Sequence, residues 1–269
     1  MQYETLILWL ALIAYVLAGT LAIVGAVMGR RPARAVLLFL VVGLMLHTLS
    51  LGMRWQRIGH GPYVTMFEIL SSNIWSLTLI FTLAYWRIRA IRPAAAVVMP
   101  LIFMMMAWML LMHPGEGHLP STYDTIWLYI HILMGKVFFG SVLVALALAL
   151  VILIRRVAGS GRFARMPNDR SLDELAYRFM ALGFIFDSLM LVAGAIWAQD
   201  AWGRYWSWDP LETWAFLTWL MLGFAIHFRL TMEPSPRVSA VLVAMVFTLG
   251  FLTFFGIPFI SMAPHKGMV

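Results

Sequence analysis

The segment Trp202-Gly203-Arg204-Tyr205-Trp206-Ser207-Trp208-Asp209-Pro210-Leu211-Glu212-Thr213-Trp214 packs four tryptophans into thirteen residues, between two long apolar runs. A bilayer span needs aliphatic bulk, and a surface loop needs polar residues; this segment supplies neither. Tryptophan joins an apolar ring to an N–H that prefers a wet partner, so it settles at membrane interfaces. A single interfacial tryptophan serves as an anchor. Trp197, Trp202, Trp206, Trp208 and Trp214 together exceed anchoring and describe a flat, rigid, amphipathic platform. Such a surface suits a large planar ligand with apolar faces and a charged edge.

The rest of the chain sets that platform in a membrane. Of its 269 residues, 62% are hydrophobic and 12% charged, more apolar surface than a soluble core can hide. Reading about twenty apolar residues per span predicts an all-α polytopic membrane protein with about eight transmembrane helices. They fall near 5–28, 35–53, 66–86, 94–112, 128–154, 177–197, 212–229 and 239–262, a single integral membrane domain over 1–269. The first run lacks a basic n-region and a small-residue cleavage site, so it reads as a span, not a cleaved signal. Cysteine is absent. Disulfides, thiolate ligands and cysteine nucleophiles therefore do not belong to this chain.

The net charge of +7 sits in short loops, with no basic helix face or motif that reads as nucleic-acid binding. Loops 29–34, 87–92, 155–178 and 229–237 hold about fourteen of the nineteen basic residues, which places them in the cytoplasm. Both termini and the Trp-rich segment 198–212 then lie outside, in the periplasm of a bacterium whose inner membrane holds the chain. The stretch 155–177 reads as a cytoplasmic connector loop.

Asp209-Pro210-Leu211-Glu212 carries a helix-start signature. Asp209 can be the N-cap, Pro210 the first helical residue and Glu212 the partner in a capping box. Asp209 and Glu212 can thus serve simply to start the next span, and a firm cap also steadies the tryptophans before it. Gly203 allows a tight turn or a close ligand approach. Arg204 suits a carboxylate bidentately, or is a solvated loop charge.

Haem is the planar ligand that fits such a platform, and its iron takes neutral imidazoles. Of seven histidines, His131 at the outer start of span five and His265 beyond the outer end of span eight share the depth of the Trp-rich segment. They form the candidate axial pair. His227, near the inner end of span seven, is either an inner haem-entry ligand or a residue snorkelling beside Arg229. His47 reads as a packed, hydrogen-bonded core histidine; His60, His113 and His118 lie in outer loops. Asp187 and Glu68 must be paired or protonated at their depth, and Lys136 can reach toward a propionate or snorkel.

The segment 202–214, with Thr218-Trp219 and His227-Phe228-Arg229 after it, resembles the tryptophan-rich WWD region of haem-handling cytochrome c assembly proteins. It is most similar to the CcsA (ResC) type of the System II cytochrome c synthase. Leu172-Asp-Glu-Leu-Ala-Tyr177, Gly194-Ala-Ile-Trp-Ala198, Gly59-His-Gly-Pro62 and Phe67-Glu68 resemble that type as well. Leu211 departs from it, standing where the type often has lysine.

The resemblance implies haem b held at the outer face between His131 and His265. Trp202, Gly203, Arg204, Trp206, Trp208, Asp209, Glu212 and Trp214 form its platform, and His227 lies at an inner entry site. It implies covalent attachment of haem to an apocytochrome c Cys-x-x-Cys-His segment by thioether bonds, the chain working by positioning with no acid–base dyad of its own. It also implies a CcsB (ResB) membrane partner, because no large outer domain is present here. Two other readings share the pattern. One is a haem exporter or chaperone of the CcmC kind that delivers without ligation, and the other a HemX-like regulatory membrane protein.

Overall fold

Aliphatic runs interrupted by Gly, Pro and charged clusters become helices, with breaks where those residues sit. The computed structural model describes residues 2–30, 32–158, 163 and 166–260. Among these, eight helices are long and apolar enough to cross a membrane, and no strand occurs. The expectation of an all-α, eight-span chain is met.

One unit comprises 1–117 and 153–168. It contains α1 (Gln2–Val27), α2 (Ala33–Ile58), α3 (Met66–Arg87) and α4 (Ala95–Leu111), the last preceded by a 3₁₀ turn at Arg89–Ala94. Each helix packs on the next, and α4 returns to α1. Close approach is bought by glycine: a Cβ on Gly43 would sit 2.5 Å from the Tyr15 ring. Gly59 ends α2 at φ 80°, its N–H donating to the Trp55 carbonyl, a conformation that side chains with a Cβ rarely adopt.

At the α2–α3 end of this unit lies a buried ion network. Arg54 is only 3% exposed. Its Nε donates to Glu68 at 2.8 Å, Nη1 to Glu4 at 3.0 Å and Nη2 to the Gly115 carbonyl at 2.5 Å. Glu68 also accepts from the N–H groups of Val64 and Thr65, and with Thr65 forms the capping box that starts α3. The fork shape of the guanidinium lets one cation satisfy carboxylates from two helices and a loop carbonyl. Glu68 is therefore paired, as its depth demands. At the other end, Arg155 donates to the carbonyls of Phe163, Met166 and Pro167, ordering the chain that leads on toward the next helix.

The second unit comprises 118–152 and 169–269. It contains α5 (Ile126–Ala158, through Ile152), α6 (Asp169–Trp202), α7 (Pro210–Met232) and α8 (Pro236–Phe251). A π-helical turn, Leu252–Gly256, follows, and then α9 (Ile257–Ile260). Phe139 stacks on Phe247 and Phe254, and Phe138 reaches Phe254, so α5 and α8 share an aromatic seam. With 33 and 34 residues, α5 and α6 outlast the roughly 20 a bilayer core requires. Helix α6 begins at Asp169, well before the expected 177, because its polar first turns are helical but not apolar. Asp169 supplies the negative charge that a helix N-terminus favours.

Candidate functional site

Helix α6 ends where Gly203 takes φ 78° and donates its N–H to the Gln199 carbonyl at 2.9 Å. That left-handed cap is the tight turn expected of Gly203. It leaves Trp197 and Trp202 on the last turns of α6, their rings edge-to-face at 5.1 Å. Tyr123, just ahead of α5, packs edge-on against both, and its carbonyl accepts the Trp197 indole N–H at 2.9 Å.

His131, in the second turn of α5, joins this cluster. Its ring stacks on Trp197 at 6.2 Å with an interplanar angle of 15°. Its Nδ1 lies 2.9 Å from the Met190 carbonyl oxygen. A carbonyl oxygen only accepts, so Nδ1 carries the proton and the neutral ring keeps its lone pair on Nε2. Metal-ligating histidines are commonly fixed in this way, through the nitrogen that does not bind metal.

The next segment, 203–209, is held by the start of α7. Asp209 caps the helix, accepting the Glu212 N–H at 2.9 Å, with Pro210 at the first helical position. The reciprocal bond differs from the expected capping box. The Glu212 carboxylate reaches past Asp209 to the Ser207 N–H at 2.8 Å and to the Ser207 hydroxyl. Between these anchors Trp208 is forced to φ 58°, with the residue 66% exposed. A bulky residue in the left-handed region is a strained one, and such strain is found at functional sites.

From Trp208 an aromatic column runs along α7. Trp206 and Trp208 meet edge-to-face at 5.7 Å, and both contact Phe216. Phe216 stacks on Trp219, and Trp219 on Phe184 of α6, with the Trp219 N–H donating to Ser188. The Trp214 carbonyl accepts from Thr218 and Thr253, tying the π turn to α7 beneath this segment. The buried Trp206 indole N–H has no hydrogen-bond partner among the described residues, and Arg204 is exposed in the same loop. Both are donors suited to a carboxylate. An imidazole, an indole N–H and an exposed indole face are the kinds of group that suit a haem's iron, propionates and macrocycle.

Among the other expected residues, His227 lies on an exposed stripe of α7 with Leu217, Leu220 and Phe224. It is about 25 Å along the helix from Pro210 at helical rise, so the structure does not bring it to the Trp-rich segment. His265 lies outside the described residues. His47 is a core histidine, with Nε2 3.0 Å from the Ser71 hydroxyl and Nδ1 3.4 Å from that of Tyr15. His60 braces two loops, its ring nitrogens 3.0 and 3.3 Å from the carbonyls of Gly61 and Gly117. His113 and His118 are exposed, and Lys136 is half-buried. Asp187 is fully buried, and among the described residues neither of its carboxylate oxygens has a hydrogen-bond partner.

Residues that sequence reading left without a role join the site through contacts distant in the chain. Gly194 and the Met190 carbonyl seat His131, and Tyr123 holds Trp197. At the opposite end of α7, Arg229 donates to Asp173 and Glu174 and lies 4.4 Å over the Tyr177 ring. The stretches Leu172–Tyr177 and His227–Arg229, quoted separately above, are thus one latch.

Residues 35–265 match the family model described as Cytochrome C assembly protein. The cytochrome c biogenesis protein CcsA of Chlamydomonas reinhardtii is 29% identical over 232 residues, covering 84% of this chain and 66% of that protein. The CcsA of Prochlorococcus marinus (strain MIT 9301) is 28% identical over 269 residues, covering 90% and 87%. The solved structure of the cytochrome c haem lyase CcmF shares the fold, with a TM-score of 0.72 at 18% identity over 94% of this chain. The chain spans 66% of the length of the algal relative and 46% of CcmF. With the family pattern running through the Trp-rich segment and the helices that carry it, this multi-pass membrane protein belongs to the cytochrome c assembly protein family and is of the CcsA type.

Proposed function

We propose that the chain binds haem b at the outer face of a bacterial inner membrane. There it presents the haem for covalent attachment to apocytochrome c, together with a CcsB/ResB-type partner. The observation that carries this reading is the seat of His131, whose Nδ1–H donates to the Met190 carbonyl and whose ring stacks on Trp197 at the end of α6.

In this reading both termini lie outside, segment 198–212 is the haem-binding segment, and 155–177 faces the cytoplasm. His131 and His265 would hold the haem iron through ring nitrogens. Trp202, Trp206, Trp208 and Trp214 give the macrocycle an apolar bed, and Gly203 lets backbone approach it. Arg204 and the Trp206 N–H would donate to the propionates, Arg204 with charge assistance. Asp209 and Glu212 act at one remove, holding the loop in shape. His227 serves as the inner entry ligand, at the end of α7 marked by Arg229.

Haem supplies the reactive vinyl groups, and the substrate Cys-x-x-Cys-His segment supplies both thiols, in keeping with a chain that has no cysteine. Each S–H adds across one vinyl double bond, sulfur to one carbon and hydrogen to the other, with no net oxidation. The chain's own contribution is orientation. By holding the haem, these residues would let thiols and vinyls meet as though in one molecule.

The test is maturation in cells lacking their own assembly proteins. This chain is co-expressed with a CcsB-type partner and a reporter apocytochrome carrying Cys-x-x-Cys-His. Covalent haem on the denatured reporter is expected with wild type and lost with His131→Ala. Full maturation by His131→Ala, or none by wild type with its partner, contradicts the reading.

A further inference from the structure

Small or pliant residues of α6 face α5 at intervals. Gly183 meets Phe138 and Val142, Met190 lies against Gly135, and Gly194 meets His131. Glycine is a poor helix former, so one inside a long helix has a packing reason. At Gly194 the reason is visible. A Cβ there would stand 2.7 Å from Nδ1 and 2.9 Å from Cε1 of His131, closer than non-bonded atoms approach. The imidazole rests on bare helix backbone.

Three successive positions on that face of α6 act on the one ring. The Met190 carbonyl accepts Nδ1–H at 2.9 Å, Gly194 leaves the space, and Trp197 stacks on the ring plane at 15°. Spacings of four and three residues put them on one stripe. We propose that Gly194 is a positioning residue for His131. By admitting the ring to the backbone of α6, it sets the tautomer and direction of the lone pair before haem arrives. The inference rests on the reading of His131 as an iron ligand, and goes beyond it by naming what aims that ligand.

The test uses the full-length protein purified without haem and labelled with [15N]histidine. The His131 signal is assigned by its loss in His131→Ala. Wild type is expected to show the Nδ1–H tautomer, and Gly194→Ala the loss of that state. Haem titration is then followed by the reduced absorption bands. Gly194→Ala is expected to weaken binding about 10–100-fold, the range seen when a ligand's supporting partner is removed. Gly183→Ala inserts a methyl into the same helix pair, away from His131, and is expected to bind as wild type does.

An Nε2–H tautomer in wild type, or a Gly194→Ala protein that binds haem as wild type does, overturns the proposal. Equal losses in both glycine variants overturn it as well, by showing general loosening of α5 against α6. If wild type binds no haem, the ligand reading fails, while the tautomer in the haem-free protein still decides the seat. If Gly194→Ala does not fold, the wild-type tautomer decides alone.

Discussion

Arg229 places its Nη2 3.0 Å from Asp173 Oδ2, joining the last turns of α7 to the first turns of α6. The same guanidinium reaches Glu174 at 3.0 Å and covers the Tyr177 ring. Two helix ends that are far apart in sequence thus share one cation. The polar start of α6 is explained by this contact, because its acidic residues have a partner waiting.

Removing one member strands the other. Arg229→Gln and Asp173→Asn are each expected to cost about 2 kcal/mol, in the range for hydrogen bonds to charged groups. The double variant is expected to lose less than the sum, with a coupling of about 1 kcal/mol. Thermal unfolding in detergent measures the cycle, and strictly additive losses would show that the pair is not coupled.

Trp208 is held at φ 58° by its neighbours. Left-handed backbone costs a residue with a Cβ about 1–2 kcal/mol. Trp208→Gly is therefore expected to leave stability level or raise it by about 1 kcal/mol, while lowering haem retention. Trp208→Phe is expected to keep most retention. A glycine variant that is both more stable and fully haem-competent would deny the strained presentation any role.

Glu212 is the clamp on that strain. Glu212→Ala leaves the Ser207 N–H without its acceptor and is expected to cost about 1–2 kcal/mol, with weaker haem binding. Glu212→Gln keeps an acceptor and is expected to lose less. Side-by-side unfolding and haem titration of the two variants check the order, and equal behaviour would place the clamp elsewhere.

In the other unit, Arg54 satisfies two buried carboxylates. Arg54→Met leaves the buried Glu68 without its cation and Glu4 with Arg57 alone, and a loss of about 3–5 kcal/mol is expected. Arg54→Lys is not expected to rescue it, since an ammonium lacks the fork that serves Glu4, Glu68 and Gly115 at once. Yield and thermal midpoint report the effect, and a lysine variant of wild-type stability would contradict this account.

The spans were legible because about twenty apolar residues in a row have few other fates, and Gly203 and Pro210 mark a turn and a helix start by local chemistry alone. The Asp209 cap was legible for the same reason. The acceptor of the Ser207 N–H was not, because the capping-box spacing points Glu212 at Asp209 instead. The seat of His131 depends on a carbonyl 59 residues away and on a glycine whose packing role has no local mark. Nothing local marks Arg54, since its partners Glu4, Glu68 and Gly115 converge only in the folded unit. The π turn at Leu252–Gly256 lies in an apolar run where Gly250, Gly256 and Pro258 mark a weak point in the helix without specifying its form.

The central claim is that the chain binds haem through His131 beside its tryptophan platform. It is tested most directly by the reduced absorption spectrum of the detergent-purified protein, wild type beside His131→Ala, with and without added imidazole and with and without the CcsB-type partner. The account predicts a bis-histidine spectrum in wild type, weakened by the substitution and restored by imidazole. A wild type without haem even with its partner present, or a His131→Ala spectrum identical to wild type, would contradict it.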